Sequence, residues 1–171
     1  MLTNYICLFK YIILNYRQLG ILIFQITDFI MKGIHISFED VEAITLKRNL
    51  VKSYIRDIII GEGYKQGEIS LIFCSDHYLL EVNRNYLRHD YYTDIITFNY
   101  SSLPVISGDL FISIDRVKEN AEQFSVSFLH ELMRVVFHGI LHMVGYDDKS
   151  DKDQKIMRMK ENEYLEKFVI K

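Results

Sequence analysis

Two histidines four residues apart, His138 and His142, sit in an apolar stretch of helical period that Gly145 then stops. Residues at this spacing lie one above the other on a helix face, so both imidazoles can reach one point without bending the backbone. Asp148 comes six residues after His142, past a glycine that lets the chain reverse through the left-handed conformation. Two imidazoles and a returning carboxylate make three protein ligands with one coordination position left open, the way catalytic zinc is usually held. The spacing therefore predicts a helix over 127–143 that carries a polar stripe of Glu131, Arg134, His138 and His142 within an apolar body. Gly139 lies inside that helix, where glycine costs about 1 kcal/mol relative to alanine. Close approach of a strand or a substrate would account for it.

The remaining pattern predicts an α+β fold, a small mixed sheet of about four strands packed with about five helices. Alternating apolar residues place strands at 33–38, Glu68–Cys74, Ile95–Tyr100 and Asp109–Ile114, the last two paired through the loop around Pro104. Helices are expected over 41–60, from an N-cap at Ser75 to about Tyr86, over 115–123 and 127–143, and over 151–168 behind Ser150 and Asp151. Gly61, Gly63 and Gly67 mark a turn. A single Pro and no Trp in 171 residues, 49% of them hydrophobic, favour long regular elements in one globular domain. Cys7 and Cys74 form neither a CxxC pair nor a secreted disulfide framework, which points to a reducing cytoplasm. The formal net charge of −3 gives no global basic signal, so a nucleic-acid partner would need a local positive cleft.

Residues 1–30 have a different character. Their apolar runs are interrupted by Lys10, Arg17 and Asp28, and none approaches the roughly 20 residues that cross a bilayer. Neither a basic n-region nor a small-residue cleavage site marks a signal peptide. Met31 opens a strand-like start, so the domain is expected to span 31–171, with 1–30 an apolar leader outside it. A helix lying on a membrane surface is the competing reading of that leader.

HxxxH alone is a weak signal. Gly139 stands where zinc metalloproteases place a general-base Glu, which argues against a peptidase of that class. The longer string HGxLHxxGYxD, from His138 to Asp148, resembles the signature of the YbeY family, bacterial metal-dependent endoribonucleases of rRNA maturation. That signature reads HGxLHxxGYDH, its three histidines binding zinc. His138 and His142 match the first two, and Asp148 stands where the third histidine usually is. A carboxylate oxygen is an accepted zinc ligand, so the resemblance implies a zinc site of His138, His142 and Asp148. Asp147, the rival, occupies the place of the family's non-ligand Asp. Further blocks are similar: Asn83–Tyr100 to NxxFRxxDxPTDVLSFPF, with Tyr92 for Pro and Thr97 for Ser; Gly108–Ser113 to GDIxIS; and Glu131-Leu132 to the EL that opens the metal helix.

The resemblance implies a metal-dependent endoribonuclease of the cytoplasm that cuts single-stranded RNA in rRNA processing. Expected partners are an rRNA precursor and the ribosomal small subunit, with a ribosomal protein or assembly GTPase, and without DNA or membrane. Two arginines are candidates for substrate phosphate. Arg88 lies five residues before Thr93, where the family's arginine lies six before, a place held here by Leu87. Its alternative is a solvated loop residue. Arg134, one turn below His138, has as its alternative an ion pair with Glu131. No general base is identified. Tyr91 and Tyr92 are candidates to stack unpaired bases, or else packing residues. A rival function is an rRNA-binding assembly factor with a structural metal and little catalysis. A small phosphate or amide substrate is a third.

Overall fold

Alternation of apolar and polar residues draws Ile34–Phe38 into the first strand, β1, with Ile34 buried. The structure, a computed structural model, describes residues 33–168; the expectations for residues 1–30 and for a boundary at Met31 lie outside them. Helix α1 follows at Arg48–Gly61, then strand β2 at Lys65–Cys74 and helix α2 at Asp76–Val82, which continues into a π-helical turn at Asn83–Leu87. Strands β3, Ile95–Asn99, and β4, Val105–Ser113, precede helices α3, Ile114–Phe124, α4, Phe128–Met143, and α5, Asp151–Lys167. The sheet order is β1–β2–β4–β3, with β3 antiparallel to β4 and the other pairs parallel. Among the described residues this is the expected α+β fold of four strands and five helices, with HxxxH on α4.

Three boundaries differ from expectation. Helix α1 begins at Arg48 rather than near 41, because Val41, Ile44 and Leu46 lay an irregular segment against the core instead. Strand β2 starts at Lys65 and carries Gly67 within it, beside a register shift between Gln66 and Ile69. A Cβ at Gly67 would collide with Ser107 and with the Ile106 carbonyl, so the glycine serves strand contact and not a turn. Strand β4 starts at Val105 because β2 extends far enough to pair with it there.

Helix α4 is the centre of the core. Leu132, Val135, Val136, Phe137, Ile140 and Leu141 are all fully buried against the sheet and α1. Each large aliphatic side chain so buried contributes about 1.5–3 kcal/mol, which makes α4 a rigid base for the histidines on its remaining stripe. Gly139 faces Leu110 and Ile95, which a Cβ would approach to 2.5 and 2.6 Å. The close approach that this glycine required is that of strands β3 and β4. The opposite sheet face carries a smaller cluster of Cys74, Leu79, Val82 and Ile96 under α2.

Candidate metal centre

Ser127 caps α4, its hydroxyl accepting from the His130 N–H, and fixes where the helix begins. Its far end closes at Gly145, with φ +105°, after which the Tyr146 N–H returns to the Leu141 carbonyl at 3.0 Å. This reversal carries Asp148 back over the helix end. The His138 and His142 Nε2 atoms lie 3.0 Å apart, and Asp148 Oδ2 lies 3.7 Å from each. Donors bound at about 2.0–2.2 Å around a tetrahedral ion sit roughly 3.3 Å from one another, close to these separations. Among the described residues these three form the one His/Cys/Asp/Glu group whose ligand atoms converge this way, all within 4.8 Å. Asp147 faces elsewhere, accepting from the Asp148 N–H and pairing with Lys149 at 3.2 Å.

What surrounds the imidazoles orients them for this task. His142 Nδ1 is 2.9 Å from the Tyr146 carbonyl, which can only accept, so that nitrogen carries the proton. His138 Nδ1 is 2.7 Å from Glu161 Oε1, a buried carboxylate of α5. Both Nε2 lone pairs then face each other and Asp148, an arrangement of acceptors that a cation satisfies. A carboxylate behind a ligating histidine fixes its ring and raises its basicity. Burial disfavours the charge on Glu161, but the bond from His138 and the positive charges of Arg134 and Arg158 prevail and hold its pKa below the usual value.

Glu161 escaped the reading of the sequence. A signal for it exists: it stands on the buried stripe of α5 with Met157, Tyr164 and Leu165, where a lone carboxylate needs a partner. Tyr146 is braced in turn, its hydroxyl donating to Glu62 Oε2 at 2.7 Å. Lys160 and Tyr164 of α5 donate to the other oxygen of Glu62, at 2.9 and 2.6 Å. The carbonyl that orients His142 thus belongs to a residue tied to α1 and α5.

The two arginines occupy different surroundings. Arg134 is mostly buried, bonding Glu131 through Nε and Nη2 at 2.9 and 2.7 Å, with Asp94 at 3.5 Å and Glu161 at 3.6 Å. Burial opposes its charge, yet these carboxylates hold its pKa above the ordinary value. Arg88 is exposed at the end of the π-helical turn, at φ +58°. Its neighbours Leu87 and His89 line a cavity of about 530 Å³ that also reaches Tyr91, Thr97, His142 and Asp148. Tyr92 lies instead beneath the Arg116 guanidinium, 4.9 Å from its ring centroid. A second cavity, about 400 Å³, lies on the α5 side and is lined by Arg134, Lys155, Arg158 and Glu161. The two cavities share His138 and Asp148, so the candidate ligands stand where the grooves meet.

The family model described as Endoribonuclease YbeY matches residues 34–169. This chain belongs to the YbeY family. Curated YbeY relatives include Endoribonuclease YbeY of Flavobacterium psychrophilum, 51% identical over 119 residues, which cover 70% of this chain and 85% of that one. The Endoribonuclease YbeY of Parabacteroides distasonis is 50% identical over 127 residues, covering 74% and 89% of the two chains. Among solved structures, the solution structure of TM1509 from Thermotoga maritima matches with a TM-score of 0.56 at 32% identity, over 78% of this chain and 87% of that one. The YbeY match spans the sheet, helix α4 and both grooves.

Proposed function

We propose that this protein is a zinc-dependent endoribonuclease that cleaves single-stranded RNA during rRNA processing in the cytoplasm. Membership of a family whose relatives are named Endoribonuclease YbeY supports the reaction class. Among the described residues no single helix is long and apolar enough to cross a membrane. The observation that carries the reading is the convergence of two Nε2 atoms 3.0 Å apart and Asp148 Oδ2 at 3.7 Å, with both Nδ1 atoms tied down behind them.

His138, His142 and Asp148 are the residues that would hold the ion. Two nitrogens and one carboxylate oxygen are a donor set that suits zinc and leaves a coordination position open. When bound, a divalent cation supplies Lewis-acid charge at a phosphoryl oxygen and lowers the pKa of water at that position. Glu161 keeps the His138 tautomer that presents Nε2, and the Tyr146 carbonyl does so for His142. Arg134 contributes by holding Glu161 and Asp94 in place, and because it lines the smaller groove we assign it a contact to substrate phosphate there. Arg88, beside the larger groove, is the arginine we assign to substrate phosphate there, since a guanidinium matches phosphate oxygens bidentately. RNA precursors of the small ribosomal subunit are the substrates this reading calls for, with a ribosomal protein or assembly GTPase as partner.

The test combines elemental analysis with cleavage of an unstructured RNA. About one zinc per chain and metal-dependent cutting are expected of the wild type, and loss of both of His142→Ala in a folded protein. Cleavage that persists in a metal-free preparation overturns the mechanism. Full metal binding without cleavage points to the assembly-factor reading.

A further inference from the structure

Strand β3 is one of the two outer strands of the described sheet, and its register with β4 leaves half of its backbone unspent by β4. The Asp94 carbonyl accepts from the Ser113 N–H at 2.9 Å, and the Tyr100 N–H donates to the Ser107 carbonyl at 2.8 Å. Even-numbered residues from 94 to 100 therefore turn their polar backbone groups to β4, and alternate residues turn theirs away. Of the latter, the Ile95 carbonyl accepts from Thr93 Oγ1 at 3.3 Å. The N–H and C=O of Thr97 have no partner among the described residues. This free edge opens on the larger cavity, beside His142 and Asp148. Ile96 lines the same cavity although its side chain packs on the opposite sheet face, so what it presents there is main chain.

An aromatic surface lines the cavity as well. His89 and Tyr91 stack with ring centroids 5.2 Å apart and planes 22° apart, the Tyr91 hydroxyl 3.1 Å from His89 Nδ1. Tyr91 is 57% exposed, so its ring is available to a ligand. Buried Asn83 donates to the Tyr91 carbonyl at 2.8 Å and holds this loop in place.

We infer that this groove is a nucleobase subsite, in which an unpaired base beside the scissile phosphate stacks on the His89–Tyr91 pair and lays its Watson–Crick edge along the free N–H and C=O of Thr97. The inference rests on the RNA reading above and deepens it. One backbone donor and one acceptor side by side suit every base in part, because each carries both kinds of group on that edge. Stacking supplies attraction that is tolerant of sequence. A base already paired in a duplex has no edge left to offer, so the subsite selects unpaired RNA. An extended peptide would match the strand edge but has no use for the stacked rings, which is why a base is the better occupant.

Amide hydrogen exchange on the wild-type, zinc-loaded protein tests the inference, with an unstructured 2′-O-methyl oligoribonucleotide as a probe that lacks the 2′-hydroxyl nucleophile and whose integrity is checked after exchange. Exchange at the Thr97 amide is expected to slow about tenfold or more with this probe. It should stay unchanged with an otherwise identical abasic strand or with a duplex, and Tyr91→Ala should weaken the protection. Binding of the probe that perturbs α4 but leaves Thr97 exchange unaltered overturns the subsite, as does equal protection by the abasic strand. Protection by an extended peptide alone assigns the edge to a protein partner and also overturns it. A protein that neither binds nor cuts any RNA overturns the endoribonuclease reading itself, and the subsite with it.

Discussion

Glu161 shows how much one buried carboxylate can decide. It is 2% exposed, accepts from His138 at 2.7 Å and is flanked by Arg134 and Arg158. An isolated buried charge would be costly, but one that is paired and hydrogen-bonded can serve as a fixed orienting group. Glu161→Gln keeps the shape while removing the charge that favours the Nδ1-protonated tautomer. Zinc affinity is expected to fall about 10- to 100-fold, measured by competition with a chromophoric chelator, while cutting at saturating zinc largely persists. An unchanged zinc affinity would show that His138 needs no such support. Asp148 is the complementary case: its side chain is 43% exposed against 18% for His138 and 29% for His142, so it is the candidate ligand most open to solvent.

The elements that matter most are α4 and the β3–β4 pair, because the grooves lie where they meet. Gly108 sits on β4 opposite Asn99, where a side-chain methyl would fall on the Phe98 carbonyl and against Met143. The first of these is backbone, which cannot swing aside as a side-chain tip can. Gly108→Ala should therefore push β3 away from β4 and destabilise the fold by about 2–3 kcal/mol, read as a lowered urea midpoint. Gly139→Ala is a milder change, since it meets the ends of the Leu110, Ile95 and Thr97 side chains rather than backbone and gains about 1 kcal/mol of helix propensity.

Across the whole molecule, Glu62 joins α1, the Tyr146 loop and α5 through three donors. Burial raises its pKa, but bonds from Tyr164, Lys160 and Tyr146 outweigh this and hold it below the usual range of a glutamate. A carboxylate depressed in the folded state lends stability that is present above the unfolded pKa and lost as pH falls through the folded one. The melting temperature should therefore drop as the solution is acidified below about pH 4.5, more shallowly in Glu62→Gln, which should lose about 1–3 kcal/mol at neutral pH. A parallel pH profile for variant and wild type would remove Glu62 from the account. A chain starting at Met31 is expected to melt and bind zinc as the full chain does, checked by calorimetry; a large loss of stability would place residues 1–30 within the folded unit. Much of this architecture was legible in the residues. The α4 helix, the glycine stop and the His138–His142 stripe depend on contacts within a few positions, so local period and chemistry determine them. Helix α1 was misplaced at its start because packing of Val41, Ile44 and Leu46 overrode the helical reading. Which carboxylate stands behind His138, which acids besides Glu131 the Arg134 guanidinium meets, which strands approach Gly139 and which half of β3 is left unpaired were decided only by the tertiary structure. Those pairings join residues far apart in the chain, so a residue such as Glu161 signals at most the need for a partner, and only the packing of the elements supplies it.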